Sequence, residues 1–363
     1  MRLKAVVEEL ERIAPIRYAE TWDNVGLLTG DPDQEVSQTL LTIDYTHEVA
    51  DEGRSLECEL VVAYHPPIFQ AIKRLTAGSV VFDAVRRGVA IYSPHTALDV
   101  AEGGTNDVLC DVLQAARRFP LKLSQTQPTQ YKLVTFVPES ALEKVSKALF
   151  DAGAGRIGNY SACSFRSIGT GTFFGEEGTN PAVGQSGKLE QPREIRVETV
   201  VPMSHIAQIV EALRKSHPYE EPAFDLNQLA APPEGVGIGR IAELDAPVER
   251  SELFDRIKRG LEIDRLLIAG PTQGCVGRVA VCAGACGDLL NEALSQEAEL
   301  YLTGELRHHD ALKAAAAGMT VVCTLHSNSE RATLKRLKQR LETALPGLAC
   351  HLSRSDRDPF VVR

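Results

Sequence analysis

Several features that mark membrane proteins or nucleic-acid-binding proteins are missing from this sequence. No apolar run approaches the roughly 18 residues that a membrane-spanning helix needs. The first segment, MRLKAVVEELERIAP, contains acidic residues and no apolar core, so it does not fit a signal peptide. Basic residues form no dense block, and the net charge is -10, which argues against nucleic acid as a partner. We therefore expect a cytoplasmic protein that binds neither membranes nor nucleic acid.

Two further patterns that would point to a specific site are also absent. The eight cysteines are scattered, and the closest pair, Cys282 and Cys286, has a spacing that matches no common zinc pattern. Because a secretion signal is lacking, we expect reduced thiols rather than disulfides. The segment GAGRIG (153–158) lacks the Gly-Lys-Ser/Thr ending of a Walker phosphate-binding loop.

What the sequence does contain is an alternation of strand-like and helix-like segments, which predicts an α/β fold. The alternation runs through residues 1–124 and resumes over residues 234–363, beyond the turn-rich stretches SQTQPTQ and AAPPEGVG. Residues 125–233 have the order strand, helix, strand, strand, helix, strand, which is typical of a ferredoxin-like α+β domain. The sequence thus predicts a two-lobed α/β domain, with lobes at 1–124 and 234–363, interrupted by an inserted domain at 125–233.

Histidine is concentrated in loops that follow predicted strands, twice in each lobe. The segments are VVAYHPP and AIYSPHT in the first lobe, and LYLTGELRHH and VVCTLHSNSE in the second. Either similar composition or two related halves could produce this weak repeat. In both cases the loops would lie at the carboxyl ends of strands, where open α/β sheets place their ligand sites.

Two residues of the first lobe are candidate ligands in these loops. His65 directly follows a predicted strand, and Pro66 and Pro67 fix the path of the chain after it. The alternative is a rigid turn in which His65 is simply exposed. Asp99, in PHTALDV, could point into a cavity between the loops, or it could cap the following helix.

The second lobe supplies the other candidates. His326 and Glu330 are four residues apart where a predicted strand gives way to a helix, so both could reach one ion from one helix face. The alternative is a capping arrangement with Glu330 in the first turn. Glu305 and His308 have the spacing of a pair on one helix face, which could equally be solvated. Histidine together with carboxylate suits Zn, Mn, Fe or Ni, and these loops lack the cysteines of a structural zinc site.

Six motifs in this order resemble the NIF3-like (Nif-three-like) family: WDNVGLL, YHPPIF, SPHTALDVAEGGTNDVL, YLTGELRHHDAL, HSNSER and SDRDP. Bacterial members of that family are often called GTP cyclohydrolase I type 2 homologs. The segments GAGRIGNYSACSF, GTGTFF and HPYEEPAFDL of the predicted insertion resemble the insertion of longer members, which is similar to PII and CutA-like ferredoxin folds.

The resemblance implies a dinuclear site for divalent metal ions between the two lobes, usually inside a toroidal homohexamer. Carried over onto this sequence, the ligands would be His65, Asp99, His326 and Glu330. Tyr64 stands where the family has a first histidine, a form that looks more like the eukaryotic-type branch. A neutral phenol is a poor ligand at pH 7, so either Tyr64 binds as a phenolate, or water takes its place, or only one ion binds tightly.

The same resemblance implies a metal-dependent hydrolase that acts on a small molecule. If the name of the bacterial members describes their reaction, that molecule would be a purine nucleotide. In that reading Glu330 could bridge two ions, and three further residues would orient ligands or move protons: His95, Glu305 and His308. Two other functions stay open at this point. One is a metal carrier, insertase or sensor without enzymatic activity, and the other is a protein-interaction or transcriptional co-regulator role.

Overall fold

A computed structural model describes residues 1–123, 130–229 and 236–361. The chain divides into two compact units, one formed by Met1–Gln125 with Gly235–Arg363 and the other by Thr126–Glu234. The predicted domain boundaries, after residues 124 and 233, lie outside the described residues. Within the described ranges, no helix is both long enough and apolar enough to cross a membrane.

The first sheet of the larger unit has five strands in the order β1-β4-β3-β2-β17. All neighbours are parallel except β1, which is antiparallel to β4. The central strands β2, β3 and β4 are almost entirely buried, as expected for a sheet covered on both faces. The strands of this sheet are β1 (Gly26–Thr29), β2 (Gln38–Thr42), β3 (Leu60–Ala63), β4 (Ala90–Ser93) and β17 (Ala349–Leu352).

The second sheet has six strands in the order β13-β16-β15-β14-β12-β5, and β14, β15 and β16 are parallel. Its strands are β5 (Arg117–Leu123), β12 (Gly237–Glu249), β13 (Leu267–Ala269), β14 (Cys275–Cys282), β15 (Leu300–Thr303) and β16 (Thr320–Cys323). The helices of the larger unit are α1 (Leu3–Ile13), α2 (His47–Ser55), α3 (Val80–Arg86), α4 (His95–Val100), α5 (Thr105–Val112), α8 (Arg250–Leu261), α9 (Leu290–Ser295), α10 (His308–Ala316) and α11 (His326–Ala344), with 3-10 turns at Ile16–Tyr18 and Gly287–Leu289.

The two sheets share one topology, which gives the weak sequence repeat a structural counterpart. The order β1-β4-β3-β2 in the first sheet matches β13-β16-β15-β14 in the second, and in each case the outermost strand is the antiparallel one. A parallel strand pair needs a crossover connection, usually a helix, so the repeated order also repeats the loops at the strand ends. The α/β class predicted from the alternation is confirmed.

The two sheets are tied together by an exchange of strands that the sequence did not predict. Strand β17, from the C-terminal segment, pairs in parallel with β2 of the first sheet. Strand β5, from the N-terminal segment, pairs antiparallel with β12 of the second sheet. Each predicted lobe therefore contributes a strand to the other lobe's sheet. Strand pairing is decided by contacts far apart in sequence, which local periodicity does not record.

Helix α1 is amphipathic, and its apolar face is buried at Leu3, Val6, Leu10 and Ile13. These side chains share one core with apolar residues of α11 and of the first sheet. Helix α11 starts at the end of β16 in the second sheet and buries its apolar side chains against the first. Its N-terminus is thereby fixed between the two sheets.

The smaller unit has the predicted ferredoxin-like order, with an antiparallel sheet β11-β6-β10-β7. Its two helices pack on one face of the sheet around a separate apolar core. The GEEGTNPAVGQSGKLEQP segment includes one strand of a short hairpin, β9, which pairs with β8. The elements are β6 (Gln130–Val137), α6 (Leu142–Asp151), β7 (Ser164–Thr170), β8 (Phe173–Phe174), β9 (Leu189–Glu190), β10 (Arg193–Pro202), α7 (Ile206–Ser216) and β11 (Phe224–Gln228), with 3-10 turns at Glu139–Ala141 and Met203–His205.

Asn106 on α5 joins the two halves of the larger unit, and its loss should destabilise the fold. Its Oδ1 accepts a hydrogen bond from the Ala283 backbone N–H at 2.9 Å, and its Nδ2 donates to the Asp99 carbonyl at 2.9 Å. Because Asn106 is fully buried, we expect Asn106→Ala to lower the free energy of unfolding by about 1–3 kcal/mol. Urea denaturation measures this loss. Asn291→Ala, at an exposed site, should change little, and equal effects of the two variants would contradict the assignment.

Candidate metal centre

Three of the predicted ligands converge where the strands of the two sheets end. His65 follows β3, His326 is the first residue of α11, and Glu330 lies one turn further along that helix. Each residue offers a donor atom, and the three donor atoms all lie within 4.8 Å of one another. The two histidine rings meet edge to face, with their centroids 5.2 Å apart.

The start of α11 is built by an unusual turn at the end of β16. Leu325 has φ 71° and ψ 156°, a backbone conformation that costs a non-glycine residue about 1–3 kcal/mol. The turn is held by Asn328, whose Nδ2 donates to the Thr324 carbonyl at 2.9 Å. The capping alternative is wrong here, because no side chain caps α11 and the Ser327 hydroxyl donates instead to Asp358 at 2.7 Å.

His65 is held between two carboxylates. Its Nδ1 is 2.9 Å from Asp44 Oδ1, and its Nε2 is 3.2 Å from Glu330 Oε2. Burial alone would lower the pKa of His65, but its contacts with Asp44 and Glu330 prevail and raise that pKa to about 10. The same contact with His65 lowers the pKa of Asp44. Sequence analysis missed Asp44, although it ends the buried run TLLTID, where a carboxylate at a strand end was a usable signal.

His326 is held in the same manner from the second sheet. Its Nε2 is 3.3 Å from Glu330 Oε1, and its Nδ1 is 3.2 Å from Glu305 Oε1. The contact with Glu330 raises the pKa of His326. Glu330 is only 3% exposed. Burial would raise the pKa of its carboxyl, but His326 and His65 outweigh burial and lower it.

Two atoms of this cluster are buried without a hydrogen-bond partner among the described residues. They are His65 Nε2 and Glu330 Oε2, which face each other in an orientation that makes no hydrogen bond. Gly284, at φ 73°, borders the cluster, and a Cβ atom there would lie 3.1 Å from Glu330 Oε1 and 3.5 Å from His326 Nε2. Buried polar atoms normally have partners. Two imidazoles and a carboxylate therefore fit a divalent ion such as Zn, Mn, Fe or Ni.

Asp99 and Tyr64 are adjacent to this cluster but are engaged with each other. The Tyr64 hydroxyl donates to Asp99 Oδ1 and lies 2.9 Å from Thr105 Oγ1. Burial raises the pKa of Tyr64 well above its usual value, which favours the neutral phenol that donates to Asp99. Burial and the charge of Glu330 raise the pKa of Asp99 to about 6. Asp99 is not among the three residues whose donor atoms converge.

His95 lies beside the cluster, at the start of α4. Its Nδ1 is 2.7 Å from Asp23 Oδ1, and its ring centroid is 5.4 Å from that of His65. The contacts of Asp23 with His95 and Thr96 outweigh burial and lower the pKa of its carboxyl. Asp23 was not predicted as a site residue, because its partner His95 is 72 positions away in the sequence.

Glu305 and His308 do not form the helical pair that their spacing predicted. Helix α10 begins at His308, so Glu305 lies in the preceding loop and contacts His326 instead. His308 is exposed and packs edge to face on His309, with ring centroids 5.4 Å apart. The structure therefore brings Glu305 to the cluster, whereas the described contacts of His308 are with its neighbour.

The SDRDP motif fastens the start of α11 to the first sheet. Asp356 accepts a hydrogen bond from the Ile43 backbone N–H at 2.9 Å and pairs with Arg331. Asp358 accepts from the Ser327 hydroxyl at 2.7 Å. Two carboxylates from the C-terminal segment thus position the helix turn that carries His326 and Glu330.

Comparisons with known proteins agree with these motifs. Residues 1–359 match the profile of the family described as Duf34/NIF3 (NGG1p interacting factor 3). A protein of Halalkalibacterium halodurans named GTP cyclohydrolase 1 type 2 homolog is 36% identical over 346 residues, which are 94% of this chain and 92% of that protein. A Bacillus subtilis protein of the same name is 33% identical over 362 residues, 98% of this chain and 97% of its own.

Solved structures give the same result. A Bacillus cereus protein described as related to NIF3 has a TM-score of 0.75 and 31% identity, over 100% of this chain and 99% of that one. A Staphylococcus aureus protein has a TM-score of 0.84 and 26% identity, again over 100% of this chain and 99% of that one. These relatives are bacterial, so the expected eukaryotic-type branch is not supported, and neither is a specific likeness of the insertion to CutA. The chain belongs to the Duf34/NIF3 family.

Proposed function

We propose that this protein binds a divalent metal ion through His65, His326 and Glu330 and hydrolyses a nucleotide or a related small molecule there. The observation that supports this proposal is the convergence of three donor atoms within 4.8 Å, at a place where two buried polar atoms have no hydrogen-bond partner among the described residues. The name of the relatives, GTP cyclohydrolase 1 type 2 homolog, agrees with a hydrolytic reaction on a nucleotide.

The residues around the cluster would prepare it for the ion. Asp44 and Glu305 each contact the Nδ1 atom of one histidine, which fixes the tautomer and directs the lone pair of Nε2 toward the ion. His95, fixed by Asp23, is placed to accept or donate a proton beside His65. When bound, a divalent ion would polarise a substrate oxygen and make water a stronger nucleophile.

We propose one tightly bound ion at this cluster rather than two. A second ion would need the Asp99 carboxylate, which accepts a hydrogen bond from the Tyr64 hydroxyl. The family resemblance implies a dinuclear site, and the second position would become available only if Asp99 turned away from Tyr64. The homohexamer and the cytoplasmic location that we expect belong to the same proposal, and sedimentation velocity tests the first of them.

An exposed aromatic pair beside the cluster favours a substrate with a planar ring. Trp22 and Phe69 are 58% and 48% exposed, and their ring centroids are 5.9 Å apart. Trp22 also meets the His95 ring edge to face at 6.1 Å. Stacking of a base on an aromatic side chain contributes about 1–3 kcal/mol. Such a pair would hold a purine or a similar ring next to the proposed ion.

The decisive experiment tests turnover of defined substrates by metal-loaded protein. The protein is loaded with Mn, Zn, Fe or Ni and incubated with a panel of nucleotides and phosphoesters. We expect hydrolysis of at least one nucleotide, loss of that activity in His326→Ala, and a raised KM with little change of kcat in Trp22→Ala. Stoichiometric metal binding without any turnover would contradict the hydrolase and favour the second candidate, a metal carrier or sensor. That candidate is supported by the hydrogen bond from Tyr64 to Asp99, which withholds a ligand from the second ion that a two-metal hydrolase would use.

Metal binding should release protons from this cluster. With a pKa of about 10 in the metal-free protein, His65 is protonated at pH 8 and must become neutral to ligate an ion. Calorimetric titration with Zn at pH 8, in two buffers of different ionisation enthalpy, should show release of about one proton or more per ion. His308→Ala, an exposed histidine, should release the same number. A binding heat that is independent of the buffer would contradict the prediction.

The same pKa shift has a consequence for the stability of the metal-free protein. The folded-state pKa of His65 lies above the usual value near 6.5, so its contacts contribute stability that is fully present below about pH 6.5. This contribution is lost as the pH rises through about 10. Thermal unfolding without metal should therefore show a Tm that declines between these limits, and His65→Gln should flatten the decline.

A further inference from the structure

A cavity of the smaller unit, lined by none of the residues of the metal cluster, lies on the sheet face opposite the helices. It has a volume of about 620 Å³, within the range of about 300–1,000 Å³ that is usual for ligand sites. Along β10, Ile195 and Val197 belong to the core under the helices. Glu194 and Arg196 alternate with them and line the cavity instead. The cavity is therefore not a packing void within the apolar core under the helices.

The walls of the cavity come from motifs that the proposed hydrolase does not use. The GTGTFF motif forms the end of β7 and the hairpin strand β8, and the HPYEEPAF motif forms the loop before β11. Both segments line the cavity together with β10. Four aromatic side chains take part, and they are Phe136, Phe173, Phe174 and Tyr219. Phe174 is 52% exposed, which leaves its ring available to a ligand.

A buried carboxylate stands among these rings. Glu194 is only 8% exposed, although it carries a charge and lies on a central strand. Its Oε1 accepts a hydrogen bond from the Tyr219 hydroxyl at 2.8 Å. A Cβ atom at Gly171 would lie 2.1 Å from its Oε2, so the space beside that oxygen depends on a glycine. The fold thus holds Oε1 through the Tyr219 hydroxyl and packs Oε2 against Gly171, so that the carboxylate is fixed in the cavity wall.

The charges around the cavity favour a cation. Its lining contains three carboxylates, from Glu194, Glu220 and Glu221, and one guanidinium, from Arg196. Arg196 donates from Nε to Glu198 Oε1 at 2.9 Å, which offsets part of its charge. Aromatic faces also attract cations, by about 0.5–2 kcal/mol depending on how far the pair is shielded from water.

We propose that this cavity binds a small organic cation, an amine or amidine with an apolar body. Its N–H groups would donate to Glu194, and its body would lie among the aromatic rings. The cavity would give the inserted domain a ligand site of its own, and this proposal stands whether or not the metal cluster catalyses hydrolysis.

Calorimetric titration of the full chain with benzamidine tests the proposal. We expect benzamidine to bind with one site per chain, and the neutral isostere benzamide and the anion benzoate to bind at least about tenfold more weakly, because a charge-assisted hydrogen bond is lost. Glu194→Gln keeps an acceptor for Tyr219 but removes the charge, and it should weaken benzamidine binding by about tenfold or more. Glu211→Gln makes the same change of charge on α7, outside the cavity lining, and should leave binding unchanged.

A second variant, at Gly171, distinguishes loss of the binding site from misfolding of Glu194→Gln. Gly171→Ala should displace the carboxylate of Glu194 and weaken benzamidine in the same way, while His326→Ala should have no effect on it. Benzamidine binding that survives both cavity variants, or no binding at millimolar concentration, would overturn the proposal. A further result would also overturn it: benzamidine fails to bind, and Phe174→Ala abolishes self-association of the chain. The cavity would then hold part of a second copy of this chain rather than a small cation.

Discussion

Glu330→Gln should remove high-affinity metal binding from this protein. Glu330 is the one carboxylate of the converging cluster, and its two oxygens lie 3.2 Å and 3.3 Å from the Nε2 atoms of His65 and His326. Glutamine has nearly the same shape but no charge. We expect the affinity for Zn or Mn to fall by roughly 100-fold or more, because even loss of a partner outside the ligand set costs about 10–100-fold. Calorimetric titration and metal analysis after gel filtration measure the change.

The matched control for this variant is Glu305→Gln. Glu305 contacts His326 at Nδ1, on the side of the ring that faces away from Glu330, and its side chain is 48% exposed. We expect it to orient the histidine rather than to bind the ion, with an affinity loss of about tenfold. If the two variants lost affinity equally, the assignment of Glu330 as a direct ligand would have to be withdrawn. The rise of Tm on adding metal gives an independent readout, because only a ligand that binds the folded state stabilises it.

The second large effect concerns a buried ion pair that joins the two halves of the larger unit. Arg240 on β12 donates from Nε to Asp107 Oδ1 at 2.6 Å, and both side chains are 5% exposed. The guanidinium also donates to four backbone carbonyls, namely those of Gly237, Gly239, Val100 and Ala101. Two of these, Val100 and Ala101, lie at the C-terminal end of α4, the helix that carries Asp99. The pair therefore supports both the fold and the edge of the candidate metal centre.

Asp107→Asn should lower the free energy of unfolding by about 3–5 kcal/mol, because the buried charge of Arg240 then loses its partner. Urea denaturation at pH 7 measures the loss. Asp51→Asn is a suitable control, since Asp51 pairs with Arg54 at 2.7 Å on the surface of the same unit. Exposed pairs contribute little, so that control should stay within about 0.5 kcal/mol of the parent. A loss as small as this in Asp107→Asn would show that the buried pair is dispensable.

The local part of the candidate site could be predicted because helical and strand periods fix it. The spacing of His326 and Glu330 places them one turn apart once a helix begins at the end of the MTVVC strand, and α11 does begin at His326. The buried runs before His65 and His326 predicted strands, which are β3 and β16. The prediction that Glu305 and His308 share one helix face was wrong, because α10 begins three residues after Glu305, at His308.

Two partners that orient the site, Asp44 and Asp23, were not predicted as such, because each contacts a histidine that is distant in sequence. Asp44 reaches His65 through the adjacent end of β2, and Asp23 reaches His95 across 72 positions of the chain. The hydrogen bond between Tyr64 and Asp99 changes the expected ligand set and spans 35 positions. The order of the motifs indicated a family and its usual ligands. Whether Asp99 is free to bind an ion depends instead on the hydrogen bond that it accepts from Tyr64, which is set by the packing of this chain.

By itself the sequence determined the α/β alternation and the ferredoxin-like order of the inserted domain, because these follow from local periods. The chemistry of residue types indicated His65, His326 and Glu330 as candidate ligands. Only the tertiary structure decided which side chains meet. The exchange of β5 and β17 between the two sheets joins the halves of the larger unit, and the packing of α11 on the first sheet brings Glu330 to His65. Contacts between residues hundreds of positions apart are set by burial and strand pairing, which no local pattern encodes.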